Sequence, residues 1–220
     1  MTGRVLPVEI LTLRLIPNLS PGLARALGIP NHYRAIGLIS TDSDDMTYMA
    51  LDEATKVSNV EVVYARSLYA GAANASTALA GEVIGVLAGP TPAEVASGLR
   101  GAEAFLKSGA GFRTANEAED VVYLAHCVSR TGAYLAQMAK VPVGQAIAYL
   151  VAPPVEAIQG LDAALKASDV ELMEFFAPPT ETNFSGGLLT GTQSACQAAC
   201  DAFAQTVREV AARPMDLGGM

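Results

Sequence analysis

The spacing of apolar positions changes several times along the first hundred residues, and each change marks an element. Residues 9–16 (EILTLRLI) alternate apolar with polar side chains over the central positions and predict a strand. Ser20-Pro21 follows; Ser is a favourable helix cap and Pro fits the first helical position, so a short helix starts there. Residues 35–40 are an apolar run that predicts a buried strand. Met46, Ala50, Ala54 and Val57 then recur at helical spacing. Residues 60–64 are rich in β-branched side chains and predict a strand, as do residues 82–88. Thr91-Pro92-Ala93-Glu94 has the arrangement of a capping box and opens a helix with the apolar stripe Val95, Leu99, Ala102 and Leu106.

The same order then recurs. Strands are predicted over 121–128, 147–152 and 170–175, with a short one near Leu188. Helices are predicted over 132–139, over a stripe of Val155, Ile158, Leu161 and Leu165, and over a stripe of Ala199, Phe203, Val207 and Val210. The recurrence extends to residue identity. The segment LDEATKVSNVE, residues 51–61, and the segment LDAALKASDVE, residues 161–171, agree at seven of eleven positions. Upstream, Leu23-Ala24 corresponds to Leu135-Ala136 and Pro30 to Pro142; downstream, Gly89 corresponds to Gly191. The gaps between these blocks fall in turn-like regions, as an internal duplication requires. Two halves follow, 1–107 and 108–220, each a mixed layer of a sheet with helices on it. The fold class is α/β (α+β).

Composition narrows the function. Of 220 residues, 51% are hydrophobic and 16% charged, far from a disordered chain. The net charge of −8 gives nucleic acid no basic face to bind and is more compatible with a small cation. Three cysteines without framework spacing point to a reducing compartment. No apolar run approaches the ~20 residues that span a bilayer, and no secretory leader is evident, so a soluble protein without membrane association is expected. Phosphate-binding glycine loops, G-x-S-x-G turns and H-E-x-x-H pairs are lacking, and neither a cofactor, a bound metal nor an enzyme is expected.

The segment 161–171 resembles the signature of the bacterial microcompartment shell domain, and the whole chain resembles the tandem-domain shell proteins of ethanolamine-utilisation compartments. The likeness is closest over 37–54, over 60–75 around Arg66-Ser67-Leu68-Tyr69-Ala70-Gly71-Ala72, and over 149–165. It implies two tandem, circularly permuted shell domains, each a mixed sheet with helices. It also implies a homotrimer whose six domains close into a pseudohexameric disc, and discs that meet each other and other shell proteins edge to edge. Placement in a microcompartment shell goes with it. The alternatives are a tandem shell protein of another compartment, such as one for propanediol, and a cytosolic enzyme or small-molecule sensor built on a duplicated α/β domain.

Several residues carry functional expectations. Lys56 and Lys166 occupy equivalent repeat positions, and the resemblance implies a tiling edge for both; a lone lysine is otherwise a solvated helix residue. The resemblance also implies that two long loops line and gate a central pore. These are Ser67, Leu68, Tyr69, Ala70, Gly71 and Ala72 in the first half, and Thr180, Glu181, Thr182, Asn183 and Phe184 in the second. Gly71 and Gly186-Gly187 suggest backbone freedom there. The plain reading is two ordinary surface loops. Asp42, Asp44 and Asp45 exceed what one helix cap needs, and could hold an organic cation. The resemblance implies an ethanolamine pocket made by Asp44, Asp45 and Glu82, with Tyr69, Phe112 and Thr182 as further members. Cys196 and Cys200, four apart on one helical face, read as small core residues, because a metal needs two more ligands.

Overall fold

A computed structural model describes residues 2–67, 83–178, 180 and 183–215. It holds nine strands and six helices among those residues, in the order β1 (Ile10–Ile16), α1 (Pro21–Ala26), β2 (Ala35–Thr41), α2 (Asp44–Val57), β3 (Glu61–Ser67), β4 (Val83–Gly89), α3 (Pro92–Leu106), β5 (Arg113–Thr114), β6 (Val122–Val128), α4 (Ala133–Ala139), β7 (Ile147–Ala152), α5 (Pro154–Ala167), β8 (Val170–Phe176), β9 (Ser185–Gly191) and α6 (Gln193–Ala212). The duplication is visible in this list: β1 to α3 reappear as β6 to α6.

The strands form two sheets, ordered β1-β2-β4-β3 and β5-β6-β7-β9-β8, and every paired neighbour is antiparallel. Even the irregularities repeat. β3 carries a register shift between Val62 and Tyr64, and β8 carries one between Leu172 and Glu174. The expected cap of α3 is present: Thr91 Oγ1 accepts the Glu94 N–H at 3.2 Å, and Val95, Leu99, Ala102 and Leu106 are all buried. Ser20 caps α1 with Pro21 at the first helical position.

The chain separates into two compact units, and each exchanges a short segment with the other half of the sequence. One unit comprises residues 7–110 and 132–137. Its sheet buries Ile36, Val86 and Ala88 against Leu19, Ile29 and Tyr33. The other comprises residues 1–6, 111–131 and 138–220. There α5 and α6 pack on the second sheet around Leu150, Leu161, Leu189, Phe203 and Val207. Its N-terminal segment is tied in by the Leu6 N–H to the Phe112 carbonyl, at 2.8 Å, and by the Arg4–Glu119 ion pair. Cys196 and Cys200 are buried members of this core, as expected.

Two expectations from periodicity are corrected. Of Val155, Ile158, Leu161 and Leu165, only Leu161 is buried; α5 turns Ala157, Gly160, Leu161 and Ala164 to the core. Likewise Met46, Ala50 and Ala54 of α2 are buried but Val57 is exposed. Small residues let α5 pack closely, and its larger apolar side chains are left on the opposite face. Gly186 and Gly187 also differ from expectation. They sit inside β9, paired with Val151 and Leu150, and not in a swinging loop. A Cβ on Gly186 would fall 2.0 Å from the Leu150 carbonyl oxygen, so the glycine serves close backbone approach.

Candidate functional site

Two features of α2 stand out: a buried carboxylate pair at its start and a third buried carboxylate two turns on. The helix follows β2 after a two-residue turn, in which Thr41 Oγ1 accepts the Ser43 N–H at 3.0 Å and contacts Thr47 Oγ1 at 2.7 Å. Those hydroxyls fix the first turn, because Ser43 gives no side-chain cap. Asp42 faces away and accepts the Glu9 N–H at 2.8 Å. Asp44 and Asp45 are buried. Asp44 Oδ1 accepts the Asp45 N–H at 2.8 Å, and Asp44 Oδ2 accepts the Ser67 hydroxyl at 2.6 Å. Ser67 Oγ lies 2.6 Å from the Tyr48 hydroxyl. The end of β3, where the first candidate loop starts, is thereby bonded to the start of α2. Carboxylates withdrawn from water carry a desolvation cost that hydrogen-bond donors or a cation offset.

Two turns on from the pair, Asp52 is fully buried. It accepts the Gly132 N–H at 2.7 Å and the Leu135 N–H at 2.8 Å, and its Oδ2 lies 3.1 Å from Lys56 Nζ. Thr55 Oγ1 accepts the Ala133 N–H at 2.9 Å. Asp52 and Thr55 thus cap the start of α4, and Gly132 is required there. A Cβ at that position would lie 2.3 Å from Thr55 Oγ1 and 2.5 Å from the Asp52 carbonyl oxygen. Tyr134 meets Tyr48 with ring centroids 6.2 Å apart, and burial pushes its phenol well above the usual tyrosine range.

The two repeat-related lysines have different surroundings. The Lys56 side chain is 11% exposed and also bonds Glu53 at 2.5 Å, whereas the Lys166 side chain is 75% exposed and bonds the solvated Asp162 at 2.6 Å. Among the other expected residues, Phe112 belongs to the second unit and packs on Phe184, with centroids 5.6 Å apart. Thr180 Oγ1 donates to the Phe184 carbonyl at 2.9 Å, and Asn183 adopts a left-handed φ of +63°, so this loop ends in a tight turn. Leu68, Tyr69, Ala70, Gly71, Ala72, Glu82, Glu181 and Thr182 lie outside the described residues. Among the described residues no group of three or more His, Cys, Asp or Glu side chains is placed to hold a metal, and no helix is long and apolar enough to cross a membrane. Sequence reasoning passed over Tyr48, Asp52, Thr55 and Gly132. For Asp52 the signal was present, since it is one of the seven identities of the repeat.

The BMC domain profile matches residues 35–115. The shell protein EutL of Clostridium perfringens (strain 13 / Type A) is 60% identical over 98% of this chain and 99% of its own length. The chain belongs to the EutL family of bacterial microcompartment shell proteins. The crystal structure of the ethanolamine utilization protein EutL from Leptotrichia buccalis is 56% identical and superimposes with a TM-score of 0.95, covering 98% of this chain and all of that one. A trimeric microcompartment shell protein, PduB, shares the fold at 19% identity, with a TM-score of 0.74 over 93% of this chain and 89% of its own. This EutL-family chain is therefore a structural component of a microcompartment shell, of the ethanolamine-utilisation type, and not an enzyme.

Proposed function

We propose that three copies of this chain assemble a tile of six shell domains, the halves 1–107 and 108–220 of each, around a passage gated by loops 67–72 and 180–184. The observation that supports this most is the duplication itself: two sheets with matching antiparallel order and matching register shifts, so that three chains supply six equivalent wedges. PduB, which shares the fold, is itself a trimer. Tiles then meet edge to edge with one another and with other shell proteins. Lys166 is the better placed of the two lysines for that contact, since Lys56 already bonds Asp52 and Glu53 and has one N–H left to offer.

Asp44 and Asp45, next to Ser67 at the foot of the first loop, are proposed to receive the ammonium of ethanolamine. A cation there offsets the desolvation cost of the pair. Since Ser67 ends β3, its bond to Asp44 couples occupancy to the loop. Glu82, Tyr69, Phe112 and Thr182 remain part of the proposal as further members. Light scattering and electron microscopy of concentrated protein test the tile; a monodisperse single-chain mass with no sheets would sink it. Calorimetry with ethanolamine, with ethylene glycol as the uncharged control, tests the site. Wild type is expected to bind ethanolamine and Asp45→Asn to lose it. Equal heats from both proteins would remove Asp45 from the site.

A further inference from the structure

The two units fill one corresponding place differently. In the first, Tyr33 closes a turn by donating its N–H to the Pro30 carbonyl at 2.9 Å. Its side chain is buried in a cluster with Ile29, Ile36 and Ala88, and its hydroxyl donates to Glu61 Oε1 at 2.8 Å. In the second, the turn that starts at Pro142 is closed by the Gln145 N–H at 3.1 Å. Gln145 leads straight into Ala146-Ile147, whereas Arg34 stands between Tyr33 and Ala35-Ile36.

The strand pairings show that the second copy is one residue shorter here. Ile36 pairs with Ala88, and Ile147 pairs with Thr190. Gly89 corresponds to Gly191, so Ala88 matches Thr190 and Ile36 matches Ile147. The Arg34 carbonyl accepts the Leu19 N–H at 2.7 Å, and the Gln145 carbonyl accepts the Thr131 N–H at 3.1 Å. Gln145 therefore takes the backbone places of both Tyr33 and Arg34. Its side-chain amide donates to the Gly191 carbonyl at 2.9 Å, and the second turn supplies no aromatic ring.

The space is left open. A cavity of about 340 Å³ lies there, lined by Val141, Pro142, Thr190 and Glu171, with Asp169 and Gln145 beside them. The first four are the counterparts of Ile29, Pro30, Ala88 and Glu61, which include the apolar neighbours of the Tyr33 side chain and the acceptor of its hydroxyl. The volume is that of a small-molecule site, about 300–1,000 Å³. Among the described residues the Glu171 carboxylate makes neither a hydrogen bond nor an ion pair, so the acceptor is kept while its donor is missing.

We propose that this cavity binds a phenol, the group that Tyr33 supplies to the first unit, brought either by a free small molecule or by a tyrosine of a partner protein. The ring rests against Val141 and Pro142, and the hydroxyl donates to Glu171 as Tyr33 donates to Glu61. Asp169 and Glu171 also set what is refused: a phenolate or a carboxylate meets two negative charges, whereas a neutral hydroxyl brings the donor that Glu171 lacks. An ammonium would suit the two carboxylates but makes no use of the apolar wall. Every lining residue belongs to the second unit, so the site is complete within one chain and does not depend on the trimer reading.

The test is a titration of the full-length protein with p-cresol, followed through the Thr190 and Gly191 amide signals by nuclear magnetic resonance. Saturable binding is expected at those signals. Toluene, which lacks the hydroxyl, and benzylamine, which offers an ammonium in its place, should each bind about tenfold more weakly or worse, as a hydrogen bond to a charged acceptor implies. Glu171→Ala, at an exposed position, should fold as wild type and weaken p-cresol by about the same factor. A blocked Gly-Tyr-Gly peptide separates the two sources: binding well above that of p-cresol assigns the site to a partner's tyrosine, and binding no better assigns it to a free phenol. No response to p-cresol, equal binding of toluene or benzylamine, or p-cresol affinity unchanged in Glu171→Ala overturns the proposal.

Discussion

Replacing Asp52 with alanine is the sharpest test of how the first unit holds residues 132–137. The carboxylate is fully buried, accepts two backbone N–H groups at 2.7 and 2.8 Å, and lies 3.1 Å from a lysine that is itself only 11% exposed. Each hydrogen bond to a charged acceptor contributes about 1.5–3 kcal/mol net. Deleting one partner of a buried pair costs about 3–5 kcal/mol, because the groups left behind keep their desolvation penalty. Lys56 retains Glu53, which lowers the cost, and water entering the space left by the carboxylate lowers it again. We expect a loss of about 3–4 kcal/mol for Asp52→Ala. Asp52→Asn should lose nearly as much, since an amide matches the carboxylate in shape but faces one N–H with its own NH2 and carries no charge for Lys56. The assay is denaturant unfolding at one fixed protein concentration, since subunit association adds to apparent stability. A loss below about 1 kcal/mol for either variant would refute the view that Asp52 organises the start of α4.

The remaining predictions are shorter. Gly132→Ala drives a Cβ against a backbone carbonyl at the residue preceding α4, where alanine brings no gain in helix propensity, so thermal unfolding should show destabilisation of about 2 kcal/mol; a stabilised variant would mean that the close approach is not real. Gly186→Ala places its Cβ 2.0 Å from the Leu150 carbonyl oxygen and should separate β9 from β7, giving insoluble or molten protein by near-ultraviolet circular dichroism; native spectra would contradict the pairing. Phe203→Ala empties the centre of the second core and should cost about 3–5 kcal/mol in the same unfolding assay. Burial pushes the Cys196 thiol up to about 11 and raises Cys200 too. A disulfide-exchange reagent at pH 8 should label at most Cys127 in the folded protein. Because the folded thiol of Cys196 titrates above the unfolded one, its contribution to stability is fully present below about pH 9 and is lost as pH rises through 11; stability unchanged from pH 9 to 11 would contradict its burial.

The order of elements was legible because the apolar period changes at each boundary and because capping residues mark the starts of α1 and α3. Thr91 and Ser20 occupy the cap positions expected of them. The face that each helix buries was less legible. In α5, glycine and alanine at 157, 160 and 164 form the contact surface, and a hydrophobicity count passes over them in favour of Val155, Ile158 and Leu165. Helix-to-helix approach rewards small side chains as well as apolar ones, and only the second property is visible in a periodicity. Of the candidate site, Asp44 and Asp45 stood out as more carboxylates than a cap needs. Ser67, which donates to Asp44 and meets Tyr48, lies 23 residues from Asp44, and β3 had to pair in its register before Ser67 could reach it.

The limit of sequence reading is clearest in Asp52 and Asp162. They are the same residue at the same repeat position, four residues before equivalent lysines, and nothing local separates them. One is fully buried and accepts two backbone N–H groups; the other is mostly solvated and pairs with Lys166 at 2.6 Å. An exposed i,i+4 pair of that kind contributes about 0.3–0.5 kcal/mol, too little to set Asp162 apart from any other surface acid. The difference arises entirely from what covers the helix. Residues 132–137 arrive from within the chain to cover α2, whereas among the described residues Val155, Ile158 and Leu165 of α5 stay exposed.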